Sequence, residues 1–274
     1  MRIVSLCPSN TELVGYLGAE RMLVGVDDYS TWPASIKDLP RLGSDLHIDM
    51  DRVEALRPDL ILASLSVPGM ERNIEELTKR GLPFLTLAPH SLSDIRDNLL
   101  TVGEAIGCGP RAIEVARAYD RCIEDYRDRS QRVAEPISLY WEWWPKPVFT
   151  PGGGNWLTEI SELAGARNVF ADDPRPSVKT DTDDVRERNP SAIALVWVGI
   201  QPDKVKPELV YARDGWSGID AVKERRVFPL DEPLFCRPSP RLLTGMRKLA
   251  AMLHPAVFPP YDEEEDDPLL QSGS

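Results

Sequence analysis

Short apolar runs alternate with amphipathic stretches through the first hundred residues. RIVSL (2–6), MLVGV (22–26), LILASL (60–65) and FLTLA (84–88) have the length and the branched aliphatic content of buried strands. Between them the period changes. SNTELVGYLGA follows the first run, Val53 and Leu56 mark a helical face ahead of the third, and Leu92, Ile95, Leu99 and Val102 recur at helical spacing over 91–107. Such alternation predicts β/α units around a mostly parallel sheet. Ser9-Asn10-Thr11-Glu12 fits a capping box, so Ser9 is the expected cap of the first helix.

Residues 110–132 carry one long helical pattern, with Ile113, Val115, Ala116, Ala118, Tyr119, Cys122, Ile123 and Tyr126 on the apolar side and charge elsewhere. After Pro110 it contains no Gly or Pro, which suits a stiff strut. The strand–helix rhythm then restarts with ISLYW (137–141), the turn PGGGN (151–155), the helix WLTEISELAGA, AIALVWV (192–198), RVFPL (226–230) and a last helix over 239–253. The tail PPYDEEEDDPLLQSGS is acidic and bounded by prolines, the composition of a disordered segment. The expected architecture is therefore α/β: two Rossmann-like lobes joined by a single long helix, with a ligand cleft between the lobes. The expected boundaries are 1–108, 109–134 for the helix, 135–256, and 257–274 for the tail.

One unit is written twice. DMDRVEALRPDLIL (49–62) and DTDDVRERNPSAIA (181–194) align without a gap, placing Asp49, Asp51, Val53, Pro58 and Ile61 on Asp181, Asp183, Val185, Pro190 and Ile193. A helix that stops at a proline before a core strand explains most of the match. The doubled Asp-x-Asp has two readings: capping of a helix start, or a function shared by the two lobes.

The net charge of −12, from 44 acids against 32 bases, argues against a nucleic-acid partner and suits solubility or docking onto a basic surface. No apolar run reaches the roughly 18 residues of a membrane span. MRIVSLCPSNTEL reads as a strand rather than a signal peptide. The location is then periplasmic or cell-surface if a signal has been removed, and cytoplasmic if Met1 is the native start. Cys7, Cys108, Cys122 and Cys236 form no C-x-x-C pair, so no metal is assigned, and Cys7 reads as a small core residue.

Open α/β sheets bind ligands at the carboxyl ends of their strands. Aromatic side chains gather there: Tyr29 and Trp32 after the second strand, Trp143 and Trp144 after ISLYW, and Trp197 near the end of AIALVWV. Trp141 and Trp197 fit the core. Trp143 and Trp144 are adjacent and must face opposite ways, so one lines the cleft, and Trp144 is the one assigned. Arg237 follows the RVFPL strand, where it has two readings: a partner for an anionic ligand group, or a salt bridge with Asp231 or Glu232. Nucleophile, metal and nucleotide motifs are missing, and His47, His90 and His254 are scattered, so the chain does not read as an enzyme.

SLCPSNTELVGYLGAERMLVGVDDYSTWP resembles the opening of substrate-binding proteins of cobalamin and iron-complex ABC importers. RVEALRPDLILAS, the W-S-x-I-x-A-V-K-x-x-R-V segment (216–227) and R-P-S-P-R (237–241) extend the likeness over roughly residues 2–256. The resemblance implies a bilobed receptor, with no intrinsic cofactor, that acts as a monomer. It would capture cobalamin or another metal chelate as transported ligand and deliver it to a permease. It carries the permease-docking acids onto Asp51 and Asp183, where the family usually has Glu, and a ligand-packing aromatic onto Tyr29. Two tryptophans of the cobalamin binders are replaced here, by Asp45 or Leu46 and by Ser177 or Val178, leaving Trp32 and Trp144 as substitutes. A haem, a siderophore or another chelate is the other ligand class. An intracellular protein or enzyme handling corrinoid or tetrapyrrole on the same fold is the competing function.

Overall fold

The structure, a computed structural model, describes residues 1–200, 204–262, 267, 269 and 270. The chain divides into two compact units. The first lobe takes Met1–Asp120, Pro238–Pro240 and the described tail residues Asp267, Leu269 and Leu270. The second takes Arg121–Arg237 and the chain from Arg241 to Asp262. The division falls inside one helix, α5 (Gly109–Ser130).

In the first lobe, β1 (Ile3–Ser5), β2 (Leu23–Val26), a small hairpin of β3 (Gly43–Ser44) and β4 (His47–Ile48), β5 (Leu60–Ser64) and β6 (Phe84–Leu87) alternate with helices. These are α1 (Pro8–Tyr16), α2 (Met50–Ala55), α3 (Glu71–Arg80) and α4 (Leu92–Ala105). The sheet runs β2-β1-β5-β6, and every neighbouring pair is parallel. Val4, Leu6, Val53, Ile61 and Leu77 are at most 2 % exposed and form its core. Each such aliphatic side chain stabilises the lobe by about 1.5–3 kcal/mol.

The second lobe repeats this plan with additions. Its strands are β7 (Ile137–Glu142), β8 (Trp144–Pro145), β9 (Val148–Thr150), β10 (Ala166–Asn168), β11 (Val178–Thr180), β12 (Ala192–Leu195) and β13 (Val227–Pro229). Its helices are α6 (Trp156–Leu163), α7 (Thr182–Arg188), the single turns α8 (Glu208–Tyr211) and α9 (Asp220–Lys223), and α10 (Leu242–Leu253). The main sheet runs β10-β7-β12-β13, again all parallel. In both main sheets, with their strands taken in chain order, the second sits outside the first and the third and fourth lie on the other side. A second, antiparallel sheet, β11-β9-β8, belongs to this lobe alone.

The expected α/β class and the two parallel-sheet lobes are what the structure shows. The first helix starts differently from the capping-box reading. Cys7 is the N-cap, with no side-chain cap bond, and Pro8 opens the helix. Proline fits the first helical position because its missing N–H would be unpaired there anyway, so the start moves two residues upstream. Ser9 and Glu12 therefore lie inside the helix, both buried, and Glu12 accepts a hydrogen bond from Ser239 Oγ. The PGGGN turn is a turn: a Cβ on Gly152 would sit 2.3 Å from the Arg175 carbonyl oxygen, and the Gly153 N–H donates to Asp173 O at 2.6 Å. Residues 263–266, 268 and 271–274, on which half of the expected disordered tail falls, lie outside the described residues. Asp267, Leu269 and Leu270 are placed against the first lobe, with Leu269 only 1 % exposed.

Candidate functional site

The repeated unit folds the same way twice. Asp49 caps α2, its side chain accepting from Arg52 N at 3.1 Å, and Asp181 caps α7, accepting from Asp183 N and Asp184 N at 3.0 and 2.9 Å. Val53, Val185, Ile61 and Ile193 are fully buried. Each unit leaves its helix through a left-handed residue before the proline: Arg57 at φ 47° and Asn189 at φ 42°. A residue preceding proline is kept out of the right-handed helical region, and the left-handed turn lets the chain reverse into the strand. Capping thus accounts for the first aspartate of each pair. The second is free of that duty. Asp51 and Asp183 stand in the first helical turn with side chains 87 % and 71 % exposed. Asp51 meets Arg80 at 2.7 Å and Asp183 meets Arg186 at 3.1 Å, and the bond from Asp51 raises the pKa of Arg80.

Tyr29 is half exposed on a loop fixed from beneath. Buried Asp27 accepts from the Tyr29 N–H at 2.8 Å and from Ser30 Oγ, and Arg41 holds the carbonyls of Asp27 and Ser30 at 3.1 and 2.6 Å. Ser30 in turn shares a 2.8 Å bond with Thr11, which donates to Ser5 at 2.8 Å. The loop is therefore tied to the end of the central strand β1, and its phenol is presented on a rigid support. Trp32 is used differently. Its ring lies on Gly15 of α1, where a Cβ would come within 2.5 Å of it, and meets Tyr16 with centroids 5.0 Å apart.

In the second lobe Trp144 is 39 % exposed, at the mouth of the β8–β9 hairpin, and donates from Nε1 to Lys146 O at 3.0 Å. Its neighbour Trp143 is the more covered of the two, with a buried indole N–H. Trp141 and Trp197 belong to the core, at 0 % and 7 % exposure. Arg237 has a side chain only 11 % exposed, and Glu232 lies 3.7 Å from its guanidinium, so the salt-bridge reading of this arginine is realised. Asp231 pairs with Lys248 at 2.8 Å instead.

One cluster was missed by sequence reasoning. Glu142, the last residue of β7, is fully buried and receives Arg213 through two bonds of 2.7 and 3.0 Å. Trp197 Nε1 donates to it at 3.0 Å and the Tyr140 hydroxyl at 3.1 Å. Burial works against the Arg213 charge, but the bonds from Glu142 more than offset it and raise its pKa. The only signal in the sequence was an acid ending a core strand, which demands a partner somewhere; the partner is remote. Among the described residues no cluster of His, Cys, Asp and Glu is arranged to hold a metal ion.

The sequence pattern of the periplasmic binding protein family matches residues 3–234. The chain belongs to that family. As a periplasmic binding protein it is 32% identical over 262 residues to an uncharacterised ABC transporter substrate-binding lipoprotein, YvrC, of Bacillus subtilis, covering 94% of this chain and 81% of that one. It is 29% identical to a vitamin B12-binding protein of Yersinia pestis over 92% of this chain and 86% of that one. Its fold matches the periplasmic vitamin B12 binding protein BtuF of Vibrio cholerae with a TM-score of 0.75 at 25% identity, covering 93% of this chain and 97% of that one. The expected family and lobe architecture are thereby established together.

Proposed function

We propose that this periplasmic binding protein is the substrate-binding component of an ABC importer. In this reading it captures cobalamin, or a related corrinoid or metal chelate, and hands it to a permease. The observation that carries the proposal is the likeness, over nearly the whole chain, to a substrate-binding lipoprotein and to a vitamin B12-binding protein. The lipoprotein relative also supports a position outside the cytoplasm.

Tyr29 and Trp144 are the ligand contacts. Each is an exposed aromatic at the carboxyl ends of its lobe's strands, and rigid rings cover a large flat ligand at little entropic cost. Trp32, partly exposed and packed on Gly15 and Tyr16, is a further contact. Arg237 would have to share its guanidinium between Glu232 and an anionic ligand group. Asp51 and Asp183 are the permease-docking acids, one on each lobe, and their exposure supports steering toward basic partners.

Titration of the purified protein with cyanocobalamin, haem and a ferric siderophore, followed by tryptophan fluorescence, tests the reading. Quenching that saturates at one equivalent of cobalamin, and is weakened about tenfold in Tyr29→Ala, is expected for loss of one stacked ring. Saturation by haem or the siderophore alone would move the ligand to that class. No saturable response to any of the three would sink the importer reading.

A further inference from the structure

The C-terminal residues that the sequence marks as disordered include an ordered element. Leu269 is 1 % exposed, and Asp267 bonds to its neighbours: its Oδ1 accepts from the Leu269 N–H at 2.9 Å and its carbonyl from the Leu270 N–H at 2.9 Å. The element is held at two points of the first lobe. The hydroxyl of fully buried Tyr16 donates to Asp267 Oδ2, and Arg111 Nη2 donates to the Leu269 carbonyl at 3.3 Å. The Tyr16 ring meets that of Trp32, with centroids 5.0 Å apart, and Trp32 follows Tyr29 by three positions on the same connection after β2.

We propose that the face formed by Tyr16 and Arg111 is a receptor for the chain's own Asp267-x-Leu269 element, and that the docked element positions Trp32 and the Tyr29 loop. A carboxylate, a leucine anchor and a backbone carbonyl make up the recognised pattern. The surface supplies a phenol and a guanidinium, the matching donors. Asp267 and Leu269 are positioning residues, acting on the loop through Tyr16 without touching ligand. Their effect on affinity rests on the importer reading; their effect on the loop does not.

Two readouts on the full chain separate these. Amide hydrogen exchange across residues 27–33, measured without ligand, reports the loop; cyanocobalamin affinity reports its use. Asp267→Ala and Leu269→Ser each speed exchange in 27–33 about tenfold, the scale of one charge-assisted hydrogen bond, while β7 amides of the second lobe are unchanged. Tyr16→Phe keeps the ring under Trp32 and reproduces the Asp267→Ala effect, and the double variant adds nothing further. Unchanged exchange in both tail variants, or additive effects of Tyr16→Phe and Asp267→Ala, overturns the proposal. A wild-type protein that binds none of the chelates, yet shows the exchange pattern, sinks the importer reading and leaves this one standing.

Discussion

The two lobes share a strand order and a repeated helix–strand unit, yet the ends of their central strands carry opposite chemistry. β1 ends in Ser5, whose hydroxyl donates to Cys7 O at 3.1 Å and accepts from Thr11 at 2.8 Å, with the nearest carboxylate of that network, Asp27, reached only through Thr11 and Ser30. β7 ends in Glu142, locked to Arg213 and capped by indole and phenol donors. The scaffold is duplicated while the groups on it are not. Hydroxyls at a strand end are satisfied by near neighbours in sequence, whereas a buried carboxylate recruits a cation 71 residues away.

The widest gap between the lobes should appear on removing these strand-end groups. Glu142→Gln leaves the Arg213 charge buried without its counter-charge, at a cost of about 3–5 kcal/mol. Ser5→Ala, the matched change in the first lobe, costs about 1 kcal/mol. Urea denaturation midpoints compare the two; equal losses would mean that the Glu142 pair is no more than an ordinary hydrogen bond.

A second contrast cuts within each lobe. Burial pushes the Cys7 thiol from 9.0 up to about 12 and raises that of Cys236 well above its usual value. At pH 8 the Cys7 thiolate fraction therefore falls about a thousandfold below that of an ordinary thiol. Cys7 should resist a disulfide reagent in the native protein and react at once in denaturant, while the half-buried Cys108, Cys122 and Cys236 react first, Cys236 the slowest of the three. Uniform labelling of all four would contradict this burial.

The smallest effects test the repeat. Asp49→Ala and Asp181→Ala remove matched caps and should each cost about 1 kcal/mol. Asp51→Ala and Asp183→Ala should each change stability by less than about 0.5 kcal/mol and, together, weaken association with the permease. Normal docking of that double variant would remove the acids from the interface.

The repeat also marks what was legible in advance. The β/α alternation, the long helix and the core places of Trp141 and Trp197 follow from period and burial, which are local properties. The start of α1 was obscured because Pro8 opens a helix as readily as Ser9 caps one. The β8–β9–β11 sheet escaped because its strands have two or three residues and include Pro145, too few to show alternation. At the site, Tyr29 and Trp144 were readable as aromatics at strand ends. The seat of Trp32 on Gly15, the Glu232 partner of Arg237 and the Glu142–Arg213 pair depend on which chain segments meet, and no local pattern records that.

Of the seven tryptophans, Trp32 alone belongs to the first lobe, while Trp141, Trp143, Trp144, Trp156, Trp197 and Trp216 lie in the second. The molecule is optically lopsided. Its tryptophan emission is mostly a report on one half, with buried rings at Trp141 and Trp216 and an exposed ring at Trp144. Replacing Trp32 would leave the first half without an indole, so the tryptophan emission of that variant would follow the unfolding of the second lobe alone, without any added label.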